Sequence, residues 1–211
     1  MKGYQVKDKE HFKVSKVMEE FVNAMDTLHG VKNAVGVFGS ARIKPHEPYY
    51  ESAVRLGMLL AKAGFATATG GGPGIMEAAN KGAYKADGVS IGLNIDLPHE
   101  QCSNEFTNVS VDFNYFFVRK VMIVKTSTAI VVYPGGFGTL DELFEVLTLL
   151  QTRKCKNLGF KLVLVGTDFW QGLIDWLKGP VLESGLISAE DFTLFKIMDD
   201  PREIVDYIKG R

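Results

Sequence analysis

This chain predicts a single α/β domain built on a Rossmann-like, doubly wound parallel sheet. Three observations carry that expectation. Short apolar runs alternate with longer stretches of helical spacing, the order that a parallel sheet with helical crossovers requires. Three of the runs end in glycine-bearing turns, at Gly39-Ser40, Gly70 to Gly74 and Gly135 to Gly138, and such turns lead from strand to helix at the edge where open sheets bind ligands. The 211 residues contain no internal repeat or low-complexity segment, which suits one domain. Residues 1–30 are expected to form a leading helix packed on a domain spanning 31–211.

In the leading segment, Phe12, Val17, Phe21, Met25 and Leu28 recur at helical intervals, predicting an amphipathic helix over roughly Glu10 to Leu28. Ala34 to Phe38 reads as a buried strand, and a helix follows from about Tyr49 to Lys62 with Ala53, Leu56, Leu60 and Ala61 inward. Phe65 to Thr69 is the second strand. It runs into the glycine cluster and then into an alanine-rich helix, about Ile75 to Lys85, suited to close packing on a sheet. Val89 to Ile95 is a third strand, a polar loop covers Asp96 to Asn104, and Phe106 to Val111 alternates like a fourth strand. A helix from about Tyr115 to Thr126 leads to a strand at Ala129 to Tyr133, the third glycine turn and a helix to about Thr152. Lys161 to Val165 is expected as the last strand, with Asp168 capping a helix to Lys178. Asp200-Pro201 then opens a terminal helix through Lys209.

Composition narrows the function classes. The chain is 46% apolar and 23% charged, a folded-protein profile. Lys and Arg number 24 against 25 Asp and Glu, so the basic excess of a nucleic-acid or anionic-membrane binder is missing. Apolar runs reach about five residues, far below the ~20 that span a bilayer. Cys102 and Cys155 form no C-x-x-C pair, and the opening residues carry no apolar signal core, so a cytoplasmic location is expected. The four histidines, His11, His29, His46 and His99, lack metal-ligand spacing, so neither metal nor cofactor is expected.

The candidate chemistry lies in the turns and beside them. Four glycines among the five residues Gly70 to Gly74 weaken both flanking elements, so they serve a close approach of backbone to ligand; Gly39 alone could simply turn the chain. A helix starting at such a turn points free N–H groups at an anion. Neither cluster is the dinucleotide G-x-G-x-x-G, since Ile75 and Asp141 stand where the last glycine belongs, and no G-x-x-x-x-G-K-[ST] occurs. Arg119 and Lys120 sit in the apolar segment from Tyr115 to Val124, where charges are costly unless paired, holding an anion, or extended to solvent. Thr139-Leu140-Asp141-Glu142 fits a capping box as well as a catalytic carboxylate. Glu77 and Glu100 read by themselves as solvated carboxylates.

Taken together, these motifs resemble a known family. Pro134 to Glu142 is similar to the P-G-G-x-G-T-x-x-E signature of the LONELY GUY (LOG) family, the cytokinin-activating nucleoside 5′-monophosphate phosphoribohydrolases once labelled lysine decarboxylases. Gly70 to Asn80 resembles the companion motif in the G-P-G-I-M-E-A form of longer bacterial members, Phe38 to Arg42 the first βα turn, and Arg119-Lys120 the R-K pair. The match runs in order from about Val35 to Gln151.

The resemblance implies that Arg119 and Glu142 are catalytic and that Gly135, Gly136, Gly138 and Thr139 hold the 5′-phosphate. It assigns Ser40, Gly71, Gly72, Gly74, Glu77, Glu100 and Lys120 to substrate binding, with His99 standing where the family's loop before that glutamate has Arg. The expected reaction is hydrolysis of the N-glycosidic bond of a nucleoside 5′-monophosphate, AMP or an N6-substituted cytokinin form, by a homodimer. The rival expectation is a non-enzymatic nucleotide or molybdenum-cofactor carrier of the same fold. Lysine decarboxylation is disfavoured, because a pyridoxal enzyme needs a Schiff-base lysine and its phosphate site, and no His-Lys pair of the decarboxylase type occurs.

Overall fold

A computed structural model of the chain describes residues 13–31, 33–96, 103–155 and 159–210. Seven strands form one sheet in the order β4-β3-β2-β1-β5-β6-β7. They are β1 (Ala34–Phe38), β2 (Ala66–Thr69), β3 (Ser90–Ile95), β4 (Val109–Phe113), β5 (Ser127–Val132), β6 (Lys161–Leu164) and β7 (Lys196–Ile197). Every neighbouring pair is parallel. Because β2 lies on one side of β1 and β5 on the other, the winding reverses at β1, and the carboxyl ends of the strands at such a reversal are where open sheets form a ligand crevice.

Seven α-helices cover the sheet: α1 (Val14–Thr27), α2 (Pro48–Lys62), α3 (Ile75–Lys85), α4 (Phe116–Thr126), α5 (Phe137–Gln151), α6 (Thr167–Trp176) and α7 (Pro201–Ile208). The period-two pattern of the central strands feeds both layers. Phe38, Ile130, Val132 and Leu164 pack with Ala24, Val118, Met122, Leu143 and Trp170 of α1, α4, α5 and α6. Val35, Val37, Val131 and Val163 pack with Leu56, Ile75, Ala79 and Ile204 of α2, α3 and α7. Small residues bring α2 and α3 together: a Cβ on Gly57 would collide with the Ala79 carbonyl, and one on Gly82 with that of Val54.

The leading helix α1 is tied to the start of α4. Glu20, 7% exposed, accepts hydrogen bonds from the Asn114 amide at 3.1 Å, its side-chain Nδ2 at 3.0 Å and the Tyr115 amide at 3.4 Å. A carboxylate there also suits the positive end of the helix dipole. No described helix is long and apolar enough to cross a membrane.

Three local expectations are corrected, and one open alternative, the capping box at Thr139, is decided. The fourth strand begins at Val109 and ends at Phe113, because Asn108 is spent on Ser90 and Gly88, whose backbone its side chain bonds. Lys161–Leu164 is not the last strand, since Lys196–Ile197 adds a two-residue edge paired with Val163 and Leu164. Asp168 does not cap α6. Gly166 holds that position at φ 103°, and Asp199 accepts from the amides of Gly166 and Thr167. Thr139 is not a cap either: α5 starts at Phe137 with Gly136 before it, so Glu142 sits in the second turn.

Candidate active site

Backbone hydrogen bonds draw the three glycine turns into one crevice. The Ser40 amide donates to the Pro134 carbonyl at 2.9 Å, and the Ile75 amide to the Ser40 carbonyl at 3.1 Å. The turn after β1 is thereby pinned between those after β2 and β5. Ser40 Oγ accepts from the Arg42 amide at 3.0 Å, which closes the first turn on itself.

The turn after β2 is held from behind. Gly71 and Gly74 have φ of 72° and 69°, and a Cβ on either would strike Asn94 Oδ1 or the Ser40 carbonyl, so only glycine fits. The Gly71 amide donates to Thr69 Oγ1 at 2.9 Å, and Thr69 Oγ1 to Asn80 Oδ1 at 2.6 Å. Asn80 continues to Ser90 Oγ at 2.8 Å. Asn104 Nδ2 donates to the carbonyls of Gly71 and Gly72 at 3.0 and 3.1 Å. The Gly71 amide is therefore spent on Thr69 inside the protein. Glu77, the third residue of α3, accepts the Tyr50 hydroxyl at 2.6 Å. Burial, and then that bond, raise the Tyr50 phenol well above its usual range, so it stays a donor.

The turn after β5 is open. A Cβ on Gly135 would collide with Thr139 Oγ1 and lie 3.0 Å from the Ser40 amide, which fixes the bend. Beyond it, Gly136 and Gly138 face open space, and both are exposed while Thr139 is buried. The first amides of a helix have no partner within it, so the start of α5 leaves its free N–H groups at an exposed turn, an arrangement chemically suited to an anion.

Arg119 and Glu142 meet at this crevice. Arg119 Nη2 donates to Glu142 Oε1 at 3.0 Å, with the two side chains 13% and 3% exposed. Arg119 Nη1 lies 3.4 Å from the point a Cβ on Gly70 would occupy, which sets the guanidinium beside the second turn. Its carbon also stands 5.3 Å from the Phe116 ring centre, and its buried Nε has no hydrogen-bond partner among the described residues. Burial pushes the Glu142 carboxyl above the usual carboxylate range; Arg119 and Lys120 pull it back, while Glu145 and Asp141 add to the rise. Lys120 Nζ lies 2.8 Å from Asp141 Oδ1 and 2.7 Å from Glu145 Oε2. Burial would lower the Lys120 ammonium, but these bonds outweigh it and leave the group raised.

The sequence-predicted residues Arg119, Glu142, Gly135, Gly136, Gly138, Thr139 and Ser40 thus share one region, and Gly71, Gly72, Gly74 and Glu77 form its neighbouring wall. Glu100 lies outside the described residues. Sequence reading passed over Asn80 and Asn104, which fix the second turn, and Asp141 and Glu145, which take up Lys120. The polar Asn104 just before an apolar strand was the available signal for the first pair.

The chain is similar to known proteins. Residues 76–208 match the family model described as "Possible lysine decarboxylase". A rice (Oryza sativa subsp. japonica) protein named probable cytokinin riboside 5′-monophosphate phosphoribohydrolase LOGL6 is 29% identical over 210 residues, covering 96% of this chain and 81% of its own. An Escherichia coli K12 protein named pyrimidine/purine nucleotide 5′-monophosphate nucleosidase is 31% identical over 190 residues, 84% of this chain and 40% of its own length. The molybdenum cofactor binding protein of Rippkaea orientalis superimposes with a TM-score of 0.63 at 25% identity, covering 86% of this chain and 98% of its own.

Proposed function

The chain belongs to the LOG family, and from that premise we propose that it hydrolyses the N-glycosidic bond of a nucleoside 5′-monophosphate. Water is added, and the free base and ribose 5-phosphate leave. The buried Arg119–Glu142 pair beside an open helix start carries this reading. The substrate's phosphate sits on the amides that begin α5, around Gly136, Gly138 and Thr139. Its ribose then lies over Glu142, whose carboxylate stabilises the oxocarbenium-like transition state and orients the attacking water. Arg119 contributes positive charge and hydrogen bonds to the departing base. A guanidinium is too weak an acid to be the proton source, so the proton that the base gains comes, in the net reaction, from the added water.

Both an adenine nucleotide and an N6-substituted one fit this scheme, and AMP is the simpler choice to begin with. We place the reaction in the cytoplasm, in keeping with the free thiol of Cys155. A homodimer is the proposed assembly. Val14, Met18 and Val22 line up along α1 at four-residue spacing and are 64%, 57% and 54% exposed, and Val121 on α4 is 45% exposed. An exposed apolar row of this kind suits an interface.

The test is incubation with a panel of nucleoside monophosphates, the matching nucleosides serving as controls, and chromatography of the released base. Release from monophosphates alone is expected. Tight AMP binding in calorimetry with no base freed over hours would favour the carrier function suggested by the molybdenum-cofactor binding relative.

A further inference from the structure

Lys120 has no free charge to offer a nucleotide. Its side chain is 15% exposed, and its ammonium lies within 2.8 Å of Asp141 and 2.7 Å of Glu145. Those two residues are one turn apart on α5 and flank Glu142 in the sequence. Three carboxylates therefore crowd a single turn of α5 and face two cations, Arg119 and Lys120, that are adjacent on α4. The pairing is ordered: Arg119 takes Glu142, and Lys120 takes the two that flank it.

We propose that Lys120 is a positioning residue for Glu142 rather than a phosphate ligand, clamping α4 to α5 through Asp141 and Glu145 and cancelling their charge beside the carboxylate that Arg119 holds. Its importance for turnover rests on the hydrolase reading above, but the charge balance itself belongs to the fold. Arg119 and Lys120 from α4, and Asp141 and Glu145 from its own helix, are the charged groups acting on Glu142 among the described residues. Removing Lys120 strips away one attraction and uncovers two repulsions. Both favour the protonated Glu142 carboxyl, so more alkaline solution is needed to ionise it. Activity that requires the ionised form then starts at higher pH.

The experiment is a carboxyl-carbon NMR titration of the whole protein, with Glu142 assigned by the signal missing from Glu142→Gln. Lys120→Met is expected to move the Glu142 midpoint up by about one pH unit, and Lys120→Arg to leave it near the parent value. Asp141→Asn with Glu145→Gln, in a chain that keeps Lys120, should move it down, which preserves the test if Lys120→Met fails to fold. The acid limb of base release from AMP should move with these midpoints. An unmoved midpoint in Lys120→Met, together with a KM that rises for AMP, would overturn the proposal and return Lys120 to the phosphate. A parent protein that frees no base would defeat the hydrolase reading alone, since the titration is read without substrate.

Discussion

The turns after β2 and β5 are both rich in glycine, yet they use it for opposite ends. At Gly70 to Gly74 the missing side chains are filled by the protein itself: Asn94 and the Ser40 carbonyl stand where Cβ atoms would be, and Asn104 grips the carbonyls of Gly71 and Gly72. At Gly136 and Gly138 the missing side chains leave open space. The first turn is a shaped wall and the second is a door. Counting glycines cannot tell these apart; asking what a Cβ would meet does so at once.

The contrast can be broken most forcefully at the carboxylate behind the door. Glu142→Gln is expected to lower base release about a thousandfold while circular dichroism stays native; near-parent turnover would remove Glu142 from the chemistry. In the wall, Gly71→Ala combines a positive φ with a clash against Asn94, and should cost about 3 kcal/mol of stability in urea unfolding. A cost below about 1 kcal/mol would mean the turn is looser than its contacts imply. Asn104→Ala leaves the Gly72 carbonyl without the bond that Nδ2 supplies and should cost about 1–3 kcal/mol, with KM for AMP rising more than kcat falls.

The smallest effect is the sharpest discriminator. Gly138 lies inside the first turn of α5 with nothing near its Cβ position. Gly138→Ala should therefore stabilise the fold by about 0.5–1 kcal/mol. If the open amides seat the phosphate, the added methyl should also raise KM. Higher thermal stability with unchanged KM would place the phosphate elsewhere.

Much of this was legible in the chain. The alternation of strand and helix follows from periodicity and from where the glycine turns fall; the roles of Arg119 and Glu142 came from the resemblance to the LOG family, and the reversal at β1 and the contact between the two side chains came from the structure. What escaped was set by distant partners. Asp168 sits where a cap is expected, but Asp199 does that work for Gly166 from 33 positions away. Thr139 and Glu142 fit a capping box on spacing alone; the helix simply starts earlier, at Phe137. Lys196–Ile197 is too short to show a period, and only pairing with β6 makes it a strand. For Lys120, the same-face neighbours on its own helix are apolar, and both counter-charges belong to the next helix.

The grip of Glu20 on the start of α4 has its own consequence. The helix that carries Arg119 receives its terminal anion from a segment ninety-four residues upstream of Asn114. Trimming the polypeptide ahead of β1 would thus loosen the arginine's footing without touching any group near the sugar. A shorter relative must either recruit a replacement acid for that junction or tolerate a less steady guanidinium.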